Sequence, residues 1–599
     1  MALLTAPAER SADPELAPAV AADIEKFERV LGDYLAGRVD DDAFRVFRLN
    51  NGIYGQRQGG HNQMVRIKLP GGAVTPDQLD VLASVSDTYS RGWGHLTTRQ
   101  NVQFHFVQLE RVPELLRDLA AVGLTTREAC GDTVRNVMAC HLAGACPAEV
   151  LDVGPWAEAT FRHFLHHPYA QRLPRKFKIN FSGCARDCGQ AMFNDVGVVA
   201  VSRPGSDGRL EAGFRVFLGG GLGANPHPAQ VLEDFTPRDD LLVTIEAVLR
   251  TFDHDGERNN NRRARLKWVM DNLGVDEVRR RVLRERTLLL ASSTWPGGVP
   301  ALVEALGDEP AGGDASGAPA RTPVRLVSRA ARSDYERWRS ANVVEGAASG
   351  TVSAIAHAPL GDLTAAQFRA LASAIRDIGC DAVVTNRQNI ALRGVEPDRL
   401  VELHARLVDA GLAQPGAELA RDVVSCPGAD TCNLAVTQSR GLASDIGRAL
   451  EEAGLADVEG VRVNISGCTN SCGQHHVADI GLHGVERRVN GVSAPGYQLL
   501  LGGHLGDTEV VFGQRALRLP AKAVGAAVVR IVGRYHEERD AAENFTSWLE
   551  RSGGASAVAA SLSDLDEWPS RDDRPDYYID FDETGPFSGE VGEGECAAS

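Results

Sequence analysis

Short apolar runs rich in β-branched residues alternate along the chain with longer stretches whose apolar positions recur every three to four residues. VVTNRQNIAL at 383–392, FKINFSG at 177–183 and VRVNISG at 461–467 read as strands. LTAAQFRALASAIRDI at 363–378 carries the spacing of an amphipathic helix. Mixed in this way, the two periods predict an α+β fold. No apolar run is long enough for a membrane-spanning helix. GDEPAGGDASGAPARTP at 307–323 is small and rich in Gly, Pro and Ala, and reads as a linker. From SLSDLDEWPS onward the chain is acidic and loses its periodicity, which predicts a tail that is partly docked or disordered.

The pattern repeats. GGAVTPDQLDVLAS at 71–84 matches LGDLTAAQFRALAS at 360–373, and HLTTRQNVQFHFV at 95–107 matches VVTNRQNIALRGV at 383–395. RNVMAC at 135–140 answers RDVVSC at 421–426, and NDVGVVAV at 194–201 answers ADIGLHGV at 478–485. FRVFLGGGLG at 214–223 answers YQLLLGGHLG at 497–506. One unit has been duplicated and fused, and 599 residues are too many for one core. The expected organisation is an N-terminal helical extension (1–44), a first smaller half-domain (45–125) and a first cysteine-bearing domain (126–305). A linker (306–323), a second half-domain (324–415), a second cysteine-bearing domain (416–560) and an acidic tail (561–599) follow.

Eight of the 11 cysteines fall into two quartets: Cys140, Cys146, Cys184 and Cys188, then Cys426, Cys432, Cys468 and Cys472. Each reads C-x5-C followed by a distant C-x3-C. Four thiolates in two close pairs suit an iron–sulfur cluster. Structural zinc favours tighter pairs. The N-terminus has no basic flank followed by an apolar core, so export, and with it a disulfide framework, is not expected; a cytoplasmic chain is. Cys130, Cys380 and Cys596 have no partner by spacing and read as incidental. The composition, 43% hydrophobic and 24% charged, is that of an ordinary globular enzyme. A net charge of −17 argues against nucleic acid as a partner.

The two copies differ in their cations. The first carries Arg66, Arg99, Arg135, Lys176 and Lys178; the second aligns Arg387, Arg421 and Arg462 with Arg99, Arg135 and Lys178. Apolar SAIAHAP stands opposite Arg66, and Gly460 opposite Lys176. Five cations with a partly decayed duplicate suggest a pocket for a compact anion or a polycarboxylate.

SGCTNSCGQHHVADIGL and SGCARDCGQAMFNDVGV resemble the siroheme-binding signature of nitrite and sulfite reductases. NGIYGQRQ, MVRIKLPGG, TTRQN, LPRKFK and the LGGHLG turn recur in that family, so the resemblance spans roughly residues 45 to 550. It implies two fused pseudo-symmetric repeats, each with a ferredoxin-like and a siroheme-reductase α+β module, the cofactors lying at their interface. It also implies one 4Fe-4S cluster on Cys426, Cys432, Cys468 and Cys472, with Cys472 bridging to siroheme. Arg66, Arg135, Lys176 and Lys178 would line the substrate side, and Arg99 would pair with siroheme carboxylates. The family's reactions are the six-electron reductions of sulfite to sulfide and of nitrite to ammonia.

Within that resemblance, Lys178 favours sulfite, because a dianion gains more from an added cation than nitrite does. Tyr54 is a candidate for a side-chain thioether, with Cys146 as the expected partner. That link and a second cluster on Cys140, Cys146, Cys184 and Cys188 exclude each other. GGGLG at 219–223 is a glycine turn without the context of a dinucleotide fingerprint, so electrons are expected from a separate ferredoxin or flavoprotein. RNNNRRARLKW at 258–268 and VRRRVLRER at 278–286 are candidate docking patches for it. A monomer is expected. Structural zinc, or a precorrin-3B synthase-like cluster enzyme, remains an alternative.

Overall fold

The computed structural model describes residues 17–205, 208–292, 333–346, 350–506, 509–541, 543–592 and 595. The linker expected at 306–323, and Cys596, lie outside the described residues.

Four five-stranded sheets carry the chain. The first runs Ile53–Gly55, Asn62–Ile67, Val102–Gln108, Trp93–Leu96 and then Asp362–Thr364, a strand supplied by the second half. The third runs Val343–Glu345, Val352–Ala356, Ile390–Val395, Asp381–Val384 and then Ala73–Val74, supplied by the first. The halves thus exchange edge strands, pairing antiparallel with Asp362 opposite His95 and Val74 opposite Ala382. The helices that follow the exchanged strands, Pro76–Tyr89 and Ala365–Ile378, pack on each other. Both begin at a Thr–Gln capping box, Thr75 with Gln78 and Thr364 with Gln367. Their apolar faces meet in one shared core containing Leu82, Val85, Phe104, Phe368, Leu371 and Leu392. Helices Ala17–Leu35 and Asp41–Asn50 add Phe27, Leu31 and Phe44 to it.

The other two sheets are copies of one design. In one, Met138–Ala139, Ile179–Ser182 and the start of Val196–Pro204 run parallel, and Leu210–Leu218 and Gln230–Thr236 continue antiparallel. In the other the corresponding strands are Val424–Ser425, Val463–Ser466, Ile480–Val489, Val492–Leu501 and Gln514–Pro520. Parallel neighbours end at the same edge. Met138–Ala139 therefore delivers Cys140, and Ile179–Ser182 delivers Cys184, to one place; Val424–Ser425 and Val463–Ser466 do the same for Cys426 and Cys468.

The acidic tail is docked along its described length. Asp580 accepts the Gln438 N–H at 2.9 Å, Gly592 N donates to Asn433 O at 3.0 Å, and Glu595 pairs with Arg48 and accepts Gly55 N at 2.7 Å. No helix among the described residues is long and apolar enough to cross a membrane.

Candidate functional site

The second quartet sits in a cradle of peptide N–H groups. Gly467 N donates to Cys426 Sγ at 3.2 Å. Gly428 N also points at Cys426, Leu434 and Ala435 at Cys432, and Asn470 at Cys468. Such dipoles stabilise thiolate charge. Burial, then the neighbouring Cys472 and Cys426, push the Cys432 thiol up to about 12, so without a bound cation the thiol keeps its proton, and a metal ligated there must supply the charge that displaces it. After the last cysteine the chain must turn under the sheet. A Cβ on Gly473 would lie 1.9 Å from Ile465 O, and one on Gly189 equally close to Phe181 O, so only glycine fits there.

The TTRQN loop of the first half closes over this loop of the second: Thr98 Oγ1 donates to Cys472 O at 2.9 Å. Its neighbour Arg99 is held inside, with Nη2 donating to Asn136 O at 2.6 Å and Nη1 to Asn180 Oδ1 at 3.3 Å. Arg99 Nε is buried without a hydrogen-bond partner. Burial, and next to it Arg135, pull this guanidinium down to about 9, with Arg265 and Arg66 contributing. Lys178 is held well below the ordinary lysine value by burial, then by Arg99, Arg265 and Lys176. Arg66 and Arg135 both donate to Ala129 O, at 3.2 and 2.9 Å. All five cations named from the sequence therefore share one electrostatic neighbourhood beside the Cys472 loop. An orphaned guanidinium N–H and cations that depress one another fit a bound polycarboxylate.

Three sequence expectations need correction. Cys130 is not incidental: its Sγ accepts from Arg66 Nη1 at 3.3 Å, and Tyr54 packs against the small cluster it forms with Leu49 and Met64. The partner anticipated for Tyr54, Cys146, instead contacts Cys184, so the two residues belong to different places. Within the 258–268 run, Arg265 turns inward to a 2.7 Å ion pair with buried Asp195, and Lys267 is buried with Nζ donating to Leu222 O at 3.2 Å. These two cations belong to the pocket, not to a docking face. In the 278–286 run, Arg280 and Arg281 pair with Glu277 on the same helix, Arg281 also with Asp255 and Arg286 with Glu233 on neighbouring elements.

Sequence reasoning also passed over Lys68, which is buried over the Phe161 ring and 3.5 Å from Glu128. Its place two residues after Arg66, directly past the end of the Asn62–Ile67 strand, was the available signal. Cys380 lies in the shared core.

The ferredoxin-like half domain of nitrite and sulfite reductases matches residues 54–122 and 346–410. The nitrite and sulphite reductase 4Fe-4S domain matches 130–288 and 416–561. An assimilatory ferredoxin-dependent nitrite reductase of Haloferax mediterranei is 29% identical, over 84% of each chain. A ferredoxin sulfite reductase of Mycobacterium tuberculosis is also 29% identical, over 84% of this chain and 87% of that one. The structure of the Mycobacterium tuberculosis NirA protein superimposes with a TM-score of 0.71 at 28% identity, covering 86% of this chain and 91% of that one. With both family models matched twice and covering most of the sequence, the chain belongs to the nitrite and sulfite reductase family, whose members carry siroheme and a 4Fe-4S cluster.

Proposed function

We propose that the protein reduces sulfite to sulfide with electrons delivered by ferredoxin, and that Cys426, Cys432, Cys468 and Cys472 would hold the 4Fe-4S cluster, with siroheme beside the Cys472 loop. The observation that carries the reading is the convergence of Arg66, Arg135, Lys176 and Lys178 beside Arg99 and the Cys472 loop. When bound, siroheme and cluster would supply the single-electron redox chemistry.

The side chains do the rest. Six electrons and seven protons convert one sulfite dianion into hydrosulfide and three waters. Arg66 and Arg135 hold the oxyanion, for an arginine keeps its proton and serves as fixed charge. Lys176 and Lys178 are the proton donors. Lys178, destabilised as an ammonium by burial and by Arg99, releases a proton readily and is recharged from solvent. Arg99 neutralises cofactor carboxylates. Ferredoxin as donor rests on the ferredoxin-dependent relatives.

Nitrite is the competing substrate. Measuring kcat/KM for both anions with the same reduced ferredoxin tests the proposal: sulfite is expected to win, and a higher value for nitrite overturns it.

A further inference from the structure

Most of the cradle around the second quartet has a counterpart around the first. Leu142 N points at Cys140 as Gly428 N does at Cys426, and Ala148 and Glu149 N at Cys146 as Leu434 and Ala435 N do at Cys432. Arg186 N points at Cys184 as Asn470 N does at Cys468. The loop supports also correspond. Ser182 and Ser466 accept the N–H of Gly189 and Gly473 at 3.1 and 3.0 Å, and Asn180 and Asn464 donate to the carbonyls of the same glycines at 2.8 Å. Val150 N bonds Gly183 O at 2.7 Å where Val436 N bonds Gly467 O at 2.8 Å. Even the cap from the opposite half is repeated: Asn386 Nδ2 donates to Cys188 O at 2.6 Å as Thr98 Oγ1 does to Cys472 O.

We propose that Cys140, Cys146, Cys184 and Cys188 hold a second 4Fe-4S cluster, one that has no siroheme beside it. The thiols form two contacting pairs, Cys140 with Cys188 and Cys146 with Cys184, and the pairs lie near enough to act on each other electrostatically. The N–H groups aimed at Cys140, Cys146 and Cys184 are the electrostatic support that a cluster with bridging sulfides requires. Arg186 adds positive charge next to Cys146.

The tetrapyrrole side, by contrast, is not repeated. The counterpart of Arg99, Arg387, faces Glu418 at 3.3 Å; Arg421 faces Glu451 at 3.5 Å and Arg462 faces Asp479 at 3.1 Å. Ile355 and Gly460 stand where Arg66 and Lys176 would be. Carboxylates of the chain itself take the place of a cofactor's carboxylates there, while the thiol cradle is kept whole.

The test is iron, acid-labile sulfide, zinc and siroheme per chain on anaerobically purified protein. About nine irons and eight sulfides with one siroheme are expected. The Cys146→Ser/Cys184→Ser double variant is expected to keep its siroheme and fall to about five irons. Electron paramagnetic resonance of the reduced unmodified protein, which needs no variant, is expected to show a cluster signal uncoupled from siroheme. About five irons in the unmodified protein, zinc in the quartet, or disulfides joining Cys140 to Cys188 and Cys146 to Cys184 by mass spectrometry would each overturn the proposal. Loss of siroheme altogether would instead strike at the reductase reading, so the two fail separately.

Discussion

Gln190 and Gln474 exchange side-chain amide hydrogen bonds: Gln190 Nε2 donates to Gln474 Oε1 at 2.8 Å, and Gln474 Nε2 to Gln190 Oε1 at 2.7 Å. Each lies two residues past the last cysteine of its quartet, in left-handed backbone (φ 60° and 62°). The two cysteine loops thus meet at one buried polar clasp.

Breaking the clasp from either side leaves the other amide buried with unmet donors and acceptors. Gln190→Ala and Gln474→Ala are each expected to cost about 1–3 kcal/mol. The double variant is expected to cost little more than either single one, because each single change already destroys the pair. Denaturant unfolding of the four proteins measures this, and simple additivity would contradict it.

Arg99 carries the prediction about cofactor retention. Arg99→Ala removes a buried charge with an unmet N–H and is expected to lower siroheme retained per chain by about tenfold. Arg99→Lys, which keeps charge but not the planar fork, should fall between. Extracted siroheme, quantified against protein, reports it; unchanged retention in the alanine variant would remove Arg99 from the cofactor's anchors.

Lys178 separates the two substrates. Replacing it by Asn removes one cation near the oxyanion, and the Coulomb loss is about twice as large for a dianion as for nitrite. Lys178→Asn is therefore expected to reduce kcat/KM for sulfite by about a hundredfold and for nitrite by about tenfold. Equal losses would show that Lys178 does not discriminate.

The docked tail responds to pH through Asp580, whose carboxyl burial pushes up to about 6. Between its ordinary value of 3.8 and about 6, the docked form binds more protons than the free form. Docking is thus strongest in acid and weakens as pH rises through that window, by about tenfold or more in the docking equilibrium. Hydrogen exchange along 575–592, corrected for intrinsic rates, is expected to lose protection between pH 4.5 and about 6.5, and Asp580→Asn should flatten the profile. The same slope in the variant would assign the effect elsewhere.

Much of the candidate site was legible because its signal is local. Cys426, Cys432, Cys468 and Cys472 are found from spacing, and the cations of the first half from comparison with the second. What escaped depends on long-range approach. Cys130 looks solitary along the chain and becomes a neighbour of Arg66 and Tyr54 only where the Asn62–Ile67 strand passes the 129–131 turn. Arg265 and Lys267 sit in a basic run whose other members, Arg258 among them, stay near the surface, and only their inward partners, Asp195 for Arg265 and the Leu222 carbonyl for Lys267, distinguish them. The exchanged strands Ala73–Val74 and Asp362–Thr364 are too short for any periodicity to announce.

That exchange has a consequence during synthesis. The sheet begun by Ile53–Gly55 is completed only by residues 362–364. Until those residues leave the ribosome, the Trp93–Leu96 strand presents an open edge, which invites pairing with other chains. An N-terminal fragment that ends at the 307–323 linker keeps that edge permanently, and a C-terminal fragment keeps the reciprocal one at Asp381–Val384. Each fragment is expected to aggregate when expressed alone, and the two to rescue each other when translated together.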